Sequence, residues 1–263
     1  MTLKGDGLVV KVGEIDTYVT VKGSGEPLVY LHGAFGYGSW HPFLDKLSEN
    51  FTVYAPLHPG FDEGEGLEHL TDLLDLTLYH IDLLESLGLE KPHVAGHYNG
   101  AMVAAEMAAL CPHSVGRLVL ASPAGVWQDD NQGTDYFAVP PGELAKVLFS
   151  DSSSEIVKLA IPETTNEQEV EIEDIRRVRA LSTVGKFLWP IPDKGLRKRM
   201  GRIKSQVMVV MGSDDPIVPL EYGQDFLAGI SGSKLSVLDG ASHMLMLEKP
   251  DEFSSIIVEF LSN

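Results

Sequence analysis

The chain has 263 residues, 44% hydrophobic and 22% charged, enough for a large buried core held as one domain or as a core carrying an insertion. Its formal net charge is −18, from 20 Lys and Arg against 38 Asp and Glu, so it lacks the basic clusters that a phosphate backbone rewards, and no nucleic-acid partner is expected. The N-terminus Met1-Thr2-Leu3-Lys4-Gly5-Asp6-Gly7 has no long apolar stretch and no later run could cross a bilayer, so neither a signal peptide nor a membrane partner is expected.

In chain order, Leu8–Val12 and Ile15–Val21 alternate in polarity and predict a β-hairpin turning at Gly13-Glu14. Pro27–Leu31 is a short continuous apolar strand that stops at His32-Gly33. A helix follows with Trp40, Phe43, Leu44 and Leu47 on one face, then a second buried strand, Phe51–Ala55, and a long helix from about His69 to Leu87, closed by Gly88. The pattern repeats as strand His93–Ala95, helix Asn99–Leu110 and strand Arg117–Ala121. The single cysteine, Cys111, follows the apolar run Ala108-Ala109-Leu110 and reads as a buried, unreactive thiol; with no disulfide possible within the chain, a cytoplasmic location is expected. Later come strand Gln206–Met211, helix Leu220–Leu227, strand Lys234–Leu238 and helix Asp251–Leu261. Buried strands alternating with helices predict an α/β fold, a mostly parallel sheet flanked by helices.

The rhythm breaks between Trp127 and Ile203, where helical segments (Gly142–Phe149, Ser154–Ala160, Glu167–Phe187 and Lys194–Met200) occur without a good strand. Pro140-Pro141 and Trp189-Pro190-Ile191-Pro192 punctuate it. This predicts a helical cap, 127–203, inserted into a core made of 1–126 and 204–263. The acidic run from Glu163 to Asp174, followed by Arg176-Arg177, reads as an exposed helix face that pairs with itself.

Three motifs fall at the C-terminal ends of predicted strands, where open α/β sheets place their sites. Gly96-His97-Tyr98-Asn99-Gly100 has a glycine two before and two after its centre, as a sharp strand-to-helix elbow requires. Gly212-Ser213-Asp214-Asp215-Pro216-Ile217-Val218-Pro219 follows the strand at Gln206, and Gly240-Ala241-Ser242-His243 follows the strand at Lys234. Elbow, acid and histidine therefore occur in the order known for nucleophile-elbow hydrolases.

On these residues, together with His32-Gly33-Ala34-Phe35-Gly36 and His58-Pro59-Gly60-Phe61, the whole chain resembles the α/β-hydrolase superfamily, in its branch of compact capped esterases, lipases and carbon–carbon-bond hydrolases. The resemblance implies an α/β-hydrolase fold acting on a small to medium apolar ester or a related acyl or carbon–carbon bond. It implies that Asp215, rather than Asp214, orients His243, leaving Asp214 to cap the following turn. It also implies an oxyanion hole from the backbone N–H groups of Asn99 and of Ala34 or Phe35. His32 and His97 read as structural. Trp127, Tyr136, Phe137, Leu148, Phe149, Leu188 and Trp189 of the cap either line the pocket or pack cap on core. No metal is expected, because His58 with Asp62, or His41 with His32, lacks companion ligands, and no nucleotide or other cofactor is expected. Oligomeric state is not legible.

The chain departs from this family at Tyr98, where its members carry Ser, Asp or Cys. A bulky residue at positive φ costs about 1–3 kcal/mol. A phenol oxygen extends roughly 4 Å beyond a serine hydroxyl, and ionising a phenol at neutral pH costs about 4 kcal/mol. Three readings follow: a hydrolase with an altered nucleophile; a lyase, decarboxylase or cofactor-free oxygenase in which Tyr98 and His243 exchange a proton; or a binding protein that has lost catalysis.

Overall fold

The structure is a computed structural model and describes residues 2–4, 7–34, 40–161, 166–191 and 194–263. The hairpin forms as β2 (Gly7–Val12) and β3 (Ile15–Lys22), with Val12 opposite Ile15. Gly13 supplies the left-handed φ of 58° that a two-residue hairpin loop takes at its first position. A strand that the sequence did not predict, β1 (Thr2–Lys4), adds to β2.

The other strands are β4 (Glu26–Leu31), β5 (Phe51–Pro56), β6 (His93–His97), β7 (Leu118–Ala121), β8 (Val207–Gly212) and β9 (Lys234–Leu238). The described residues form one sheet in the order β1-β2-β3-β5-β4-β6-β7-β8-β9, parallel from β5 to β9 and antiparallel before it. The central strands are unbroken apolar runs because helices cover both their faces. Val94, Ala95, Leu118, Val119 and Leu120 are all buried. The order reverses at β4: the chain goes outward to β5 on one side, then returns to β6 on the other. Loops leaving β4 and β6 diverge there, which opens a crevice at the strands' C-terminal ends.

The helices are α1 (Pro42–Ser48), α2 (Leu73–Ser86), α3 (Asn99–Leu110), α8 (Glu221–Gly229), α9 (Leu245–Glu248) and α10 (Pro250–Ser262), with α4 to α7 between β7 and β8. α1 packs on α10, while α2 packs on α3. Two helix starts differ from expectation. Trp40 lies before α1, where its indole donates to Asp45 Oδ1 at 2.7 Å. The helix expected from His69 begins at Leu73, because Asp72 caps it by accepting from Leu74 and Asp75 N–H at 2.9 and 3.0 Å; Leu67–His69 is a separate short 3-10 turn. Cys111 is half-buried at the end of α3, not fully buried as expected.

Between β7 and β8 the described residues form α4 (Leu144–Leu148), α5 (Glu155–Ala160), α6 (Glu167–Leu188) and α7 (Leu196–Arg199), with three short 3-10 turns and no strand. Polar ties fasten these helices to the sheet layer. Arg199 grips both oxygens of buried Glu106 on α3 at 2.6 and 2.7 Å. On α6, Arg177 pairs within its helix with Asp174, but Arg176 also reaches out to Asp62 at 2.5 Å, so that face is not paired with itself alone. Part of the acidic run lies outside the described residues. No described helix is long and apolar enough to cross a membrane.

Glu106 has 3% of its side chain exposed and depends on one guanidinium. Arg199→Ala is expected to lower unfolding free energy by about 2–4 kcal/mol, since it strands a buried carboxylate. Adding Glu106→Gln should recover part of that loss, as read from urea denaturation midpoints.

Candidate active site

The turn from β6 into α3 has no space for side chains on either flank. A Cβ on Gly96 would stand 2.6 Å from the Gly100 carbonyl carbon, and one on Gly100 would strike the carbonyl oxygens of Leu31 and His32. Between them Tyr98 adopts φ 49° and ψ −109°, a left-handed conformation that a tyrosine keeps only when its surroundings enforce it. Its N–H donates to Ala121 O at 3.0 Å, and its own carbonyl accepts from Met102 and Ala124 N–H at 3.0 and 3.2 Å. Asn99 is the first residue of α3, so its N–H has no intrahelical acceptor. Its side chain is buried, and among the described residues Asn99 Oδ1 has no partner.

Asp215 and His243 meet with no side-chain exposure, Nδ1–H donating to Oδ2 at 3.0 Å. Oδ1 of Asp215 accepts from Ile217 and Val218 N–H at 2.9 and 3.0 Å, so this residue, not Asp214 as expected, caps the following turn. Asp214 takes the Ser213 hydroxyl at 2.7 Å instead. Burial alone would raise the Asp215 pKa. The His243 charge and hydrogen bond, the Val218 N–H and the adjacent Ser122 hydroxyl outweigh burial and hold it below the usual carboxylate range. With its Nδ1 proton engaged, His243 offers Nε2 as its basic nitrogen, and that atom is buried without a hydrogen-bond partner.

Tyr98 explains why. Its ring stands edge-on to the His243 ring, centroids 4.9 Å apart at 80°, while its phenol hydrogen-bonds to the phenol of Tyr136. The Tyr98/His243 pair expected for proton exchange is therefore not hydrogen-bonded in this arrangement. Burial, then the Asp215 charge, raises the Tyr98 pKa far above its ordinary value, and burial with Tyr98 beside it does the same for Tyr136, so both phenols stay protonated. Tyr98 also forms the inner wall of a cavity of about 240 Å³. Of the cap residues singled out in the sequence, Trp127, Leu188 and Trp189 line this cavity, Tyr136 touches Tyr98 with Phe137 stacked on it, and Leu148 and Phe149 are buried packing.

The loop after β4 is held by histidines. His32 Nδ1 donates to Gly33 O at 2.9 Å, and its Nε2 accepts from His58 N–H at 3.0 Å. His58 Nε2 donates to His32 O at 3.0 Å, and its Nδ1 lies 2.9 Å from His80 Nε2. His97 Nε2 donates to His243 O at 3.0 Å, with its ring against Gly33, where a Cβ would collide with it. Ala34 is buried at the end of this loop; Phe35, the other oxyanion-hole candidate, lies outside the described residues. The role of His58 and His80 was missed in the sequence, because they come from separate segments and share no motif. The described residues bring together no three His, Cys, Asp or Glu side chains able to hold a metal ion.

Residues 28–256 match the alpha/beta hydrolase family. A 2-hydroxy-6-oxo-6-phenylhexa-2,4-dienoate hydrolase of Comamonas testosteroni is 26% identical over 265 residues, covering 91% of this chain and 88% of its own length. A 2-hydroxy-6-oxononadienedioate/2-hydroxy-6-oxononatrienedioate hydrolase from the same species is 26% identical over 268 residues, covering 92% and 89%. The crystal structure of a meta-cleavage product hydrolase from Pseudomonas fluorescens superposes with a TM-score of 0.77 at 21% identity, over 97% of both chains, and supports the fold.

Asp215→Asn should remove the strongly deshielded imidazole proton of His243 from the NMR spectrum, whereas Asp214→Asn should leave it in place. Burial also lowers the pKa of His32 to about 3 and of His80 to about 4, and holds those of His58 and His97 well below the ordinary value. Unfolded histidines bind protons below pH about 6.5 while these folded ones do not, so stability is full above that pH and is lost as pH falls toward 4. Urea midpoints measured between pH 7 and 4 should decline, and His80→Gln should flatten the decline.

Proposed function

We propose that this chain, which belongs to the alpha/beta hydrolase family, is a hydrolase of small to medium apolar substrates, acting on a carboxylic ester or a related acyl or carbon–carbon bond beside a carbonyl. The observation that carries this reading is the buried Asp215–His243 pair, set at the ends of β8 and β9 beside the elbow at Tyr98. Asp215 fixes the tautomer in which His243 Nε2 is a base and stabilises the imidazolium once a proton is taken. The N–H of Asn99, and that of Ala34 across the crevice, would stabilise an oxyanion formed from the substrate carbonyl. The names of the Comamonas relatives support extending the reading from esters to carbon–carbon bonds. A lone half-buried thiol suits a cytoplasmic home.

Tyr98 holds this machinery back. Its ring packs edge-on against the His243 ring, its phenol is engaged by Tyr136 and is harder to ionise than free tyrosine, and its bulk would compete with an acyl group for the space beside Nε2. The missing hydrogen bond to His243 also weighs against the lyase or oxygenase reading. A retained acid–base pair weighs against a binding protein. With Tyr98 in place, turnover of short aryl esters should be slow. Tyr98→Ser should uncover Nε2, put a short hydroxyl beside it and raise turnover by about 100-fold or more. The measurement is ester turnover by both forms, with intact mass after treatment with an ester-type covalent inhibitor. Fast hydrolysis with label on the Tyr98 phenol would make tyrosine the working nucleophile. If neither form hydrolyses esters or vinylogous diketones, the hydrolase reading fails.

A further inference from the structure

The substrates in the names of the two Comamonas relatives are a dienoate and dienedioates, compounds with one and two carboxylates. The cavity beside Tyr98 is built for something else. Among the described residues its wall includes Trp127, Gln132, Asp135, Trp189 and Tyr222, and no Lys or Arg. Pro192 and Asp193, which follow the wall residue Ile191 in the sequence, add no Lys or Arg. Cations near the cavity are spent elsewhere. Arg197 donates to both oxygens of Asp225 at 2.9 Å and to Trp127 O at 3.0 Å. Lys186 and Lys194 line a separate groove of about 470 Å³ that shares only Trp189 with the cavity.

Among the described residues, Asp135 is the one charged residue in the cavity wall. One oxygen accepts from Phe137 N–H at 3.0 Å, and the residue is exposed at the mouth. After burial and Asp215, its charge is among those that raise the Tyr98 pKa, which places it within electrostatic reach of the reaction centre. A carboxylate entering here would lose hydration without meeting a cation, beside a like charge and within a protein of net charge −18. An ammonium would meet that carboxylate and the aromatic side chains of Trp127, Trp189 and Tyr222, which suit a cation.

We infer that this cavity selects substrates without a carboxylate, and that the charged group it accepts is an ammonium, held at Asp135 among Trp127, Trp189 and Tyr222. This rests on the proposed hydrolase reading for its chemistry, but it concerns recognition and is read by binding. Two of the three tryptophans line the cavity, so fluorescence titration reports occupancy directly. The probes are three compounds of matched size: phenylpropylammonium, phenylbutanone and phenylbutyrate.

The ammonium should bind about tenfold tighter than the carboxylate, with the ketone between them, and the ratio should shrink in high salt. Asp135→Asn keeps the acceptor for Phe137 N–H and should bring the ratio to about twofold. Gln132→Lys, a change at an exposed wall position, should raise phenylbutyrate affinity severalfold. Equal or tighter binding of phenylbutyrate by the unmodified chain would overturn the inference, as would no binding of any probe. If the charge preference holds while Tyr98→Ser hydrolyses nothing, the hydrolase reading falls and the recognition inference stands. If Tyr98→Ser hydrolyses esters but carboxylates bind best, the reverse is true.

Discussion

Gly100 carries no Cβ because the backbone of β4 already occupies that space, and Gly96 carries none because the first turn of α3 does. This close approach of β6, α3 and β4 is the constraint on which the rest of the site depends. It forces residue 98 into a left-handed conformation at the top of the sheet, whatever its side chain, and directs that side chain toward His243. It also leaves the first N–H groups of α3 pointing into the crevice that opens where the strand order reverses. An elbow of this shape favours a small residue, and a tyrosine held there stores about 1–3 kcal/mol of strain.

The strain is tolerated because the ring is well housed. Tyr98 packs edge-on against His243 on one side and against Tyr136 on the other, with ring centroids 4.9 and 5.4 Å away, and its phenol is not left unpaired. Tyr136 belongs to the segment between β7 and β8, and its neighbour Phe137 stacks on it. One side chain thus links the elbow, the histidine and the overlying helical segment. Buried aromatic packing fills the space around the elbow residue. The Asp215–His243 pair stays assembled beside it, with His243 Nε2 buried and without a hydrogen-bond partner among the described residues.

Two hydrogen-bonded frameworks hold the surroundings in register. The carboxylate of Asp215 spends one oxygen on the turn at Ile217–Val218 and the other on His243, so position and tautomer are set by the same group. On the opposite wall, His32, His58 and His80 pass hydrogen bonds from the loop at Gly33 back to α2, and His97 ties the His243 carbonyl to the β6 end. These rings are neutral at physiological pH because burial disfavours their charge, which turns the site's scaffold into the acid-sensitive part of the molecule.

Strand and helix positions after the hairpin were legible because buried parallel strands are continuous apolar runs and the helices between them carry apolar residues at helical spacing. Helix α3 and strand β9 match residue for residue. The glycines of the elbow, and the order of elbow, acid and histidine, were legible because close backbone approach and positive φ leave few residue choices. Local patterns could not settle contacts between distant segments. The sequence could neither pair Tyr98 with Tyr136 nor join His58 to His80, and it misassigned the turn cap between adjacent Asp214 and Asp215. It predicted neither β1, which is only three residues long, nor the start of α2, where Asp72 wins over an earlier apolar residue. Side-chain direction at position 98, and the absence of a cation from the cavity wall among the described residues, are set by which chain segments converge there, and only tertiary packing decides that.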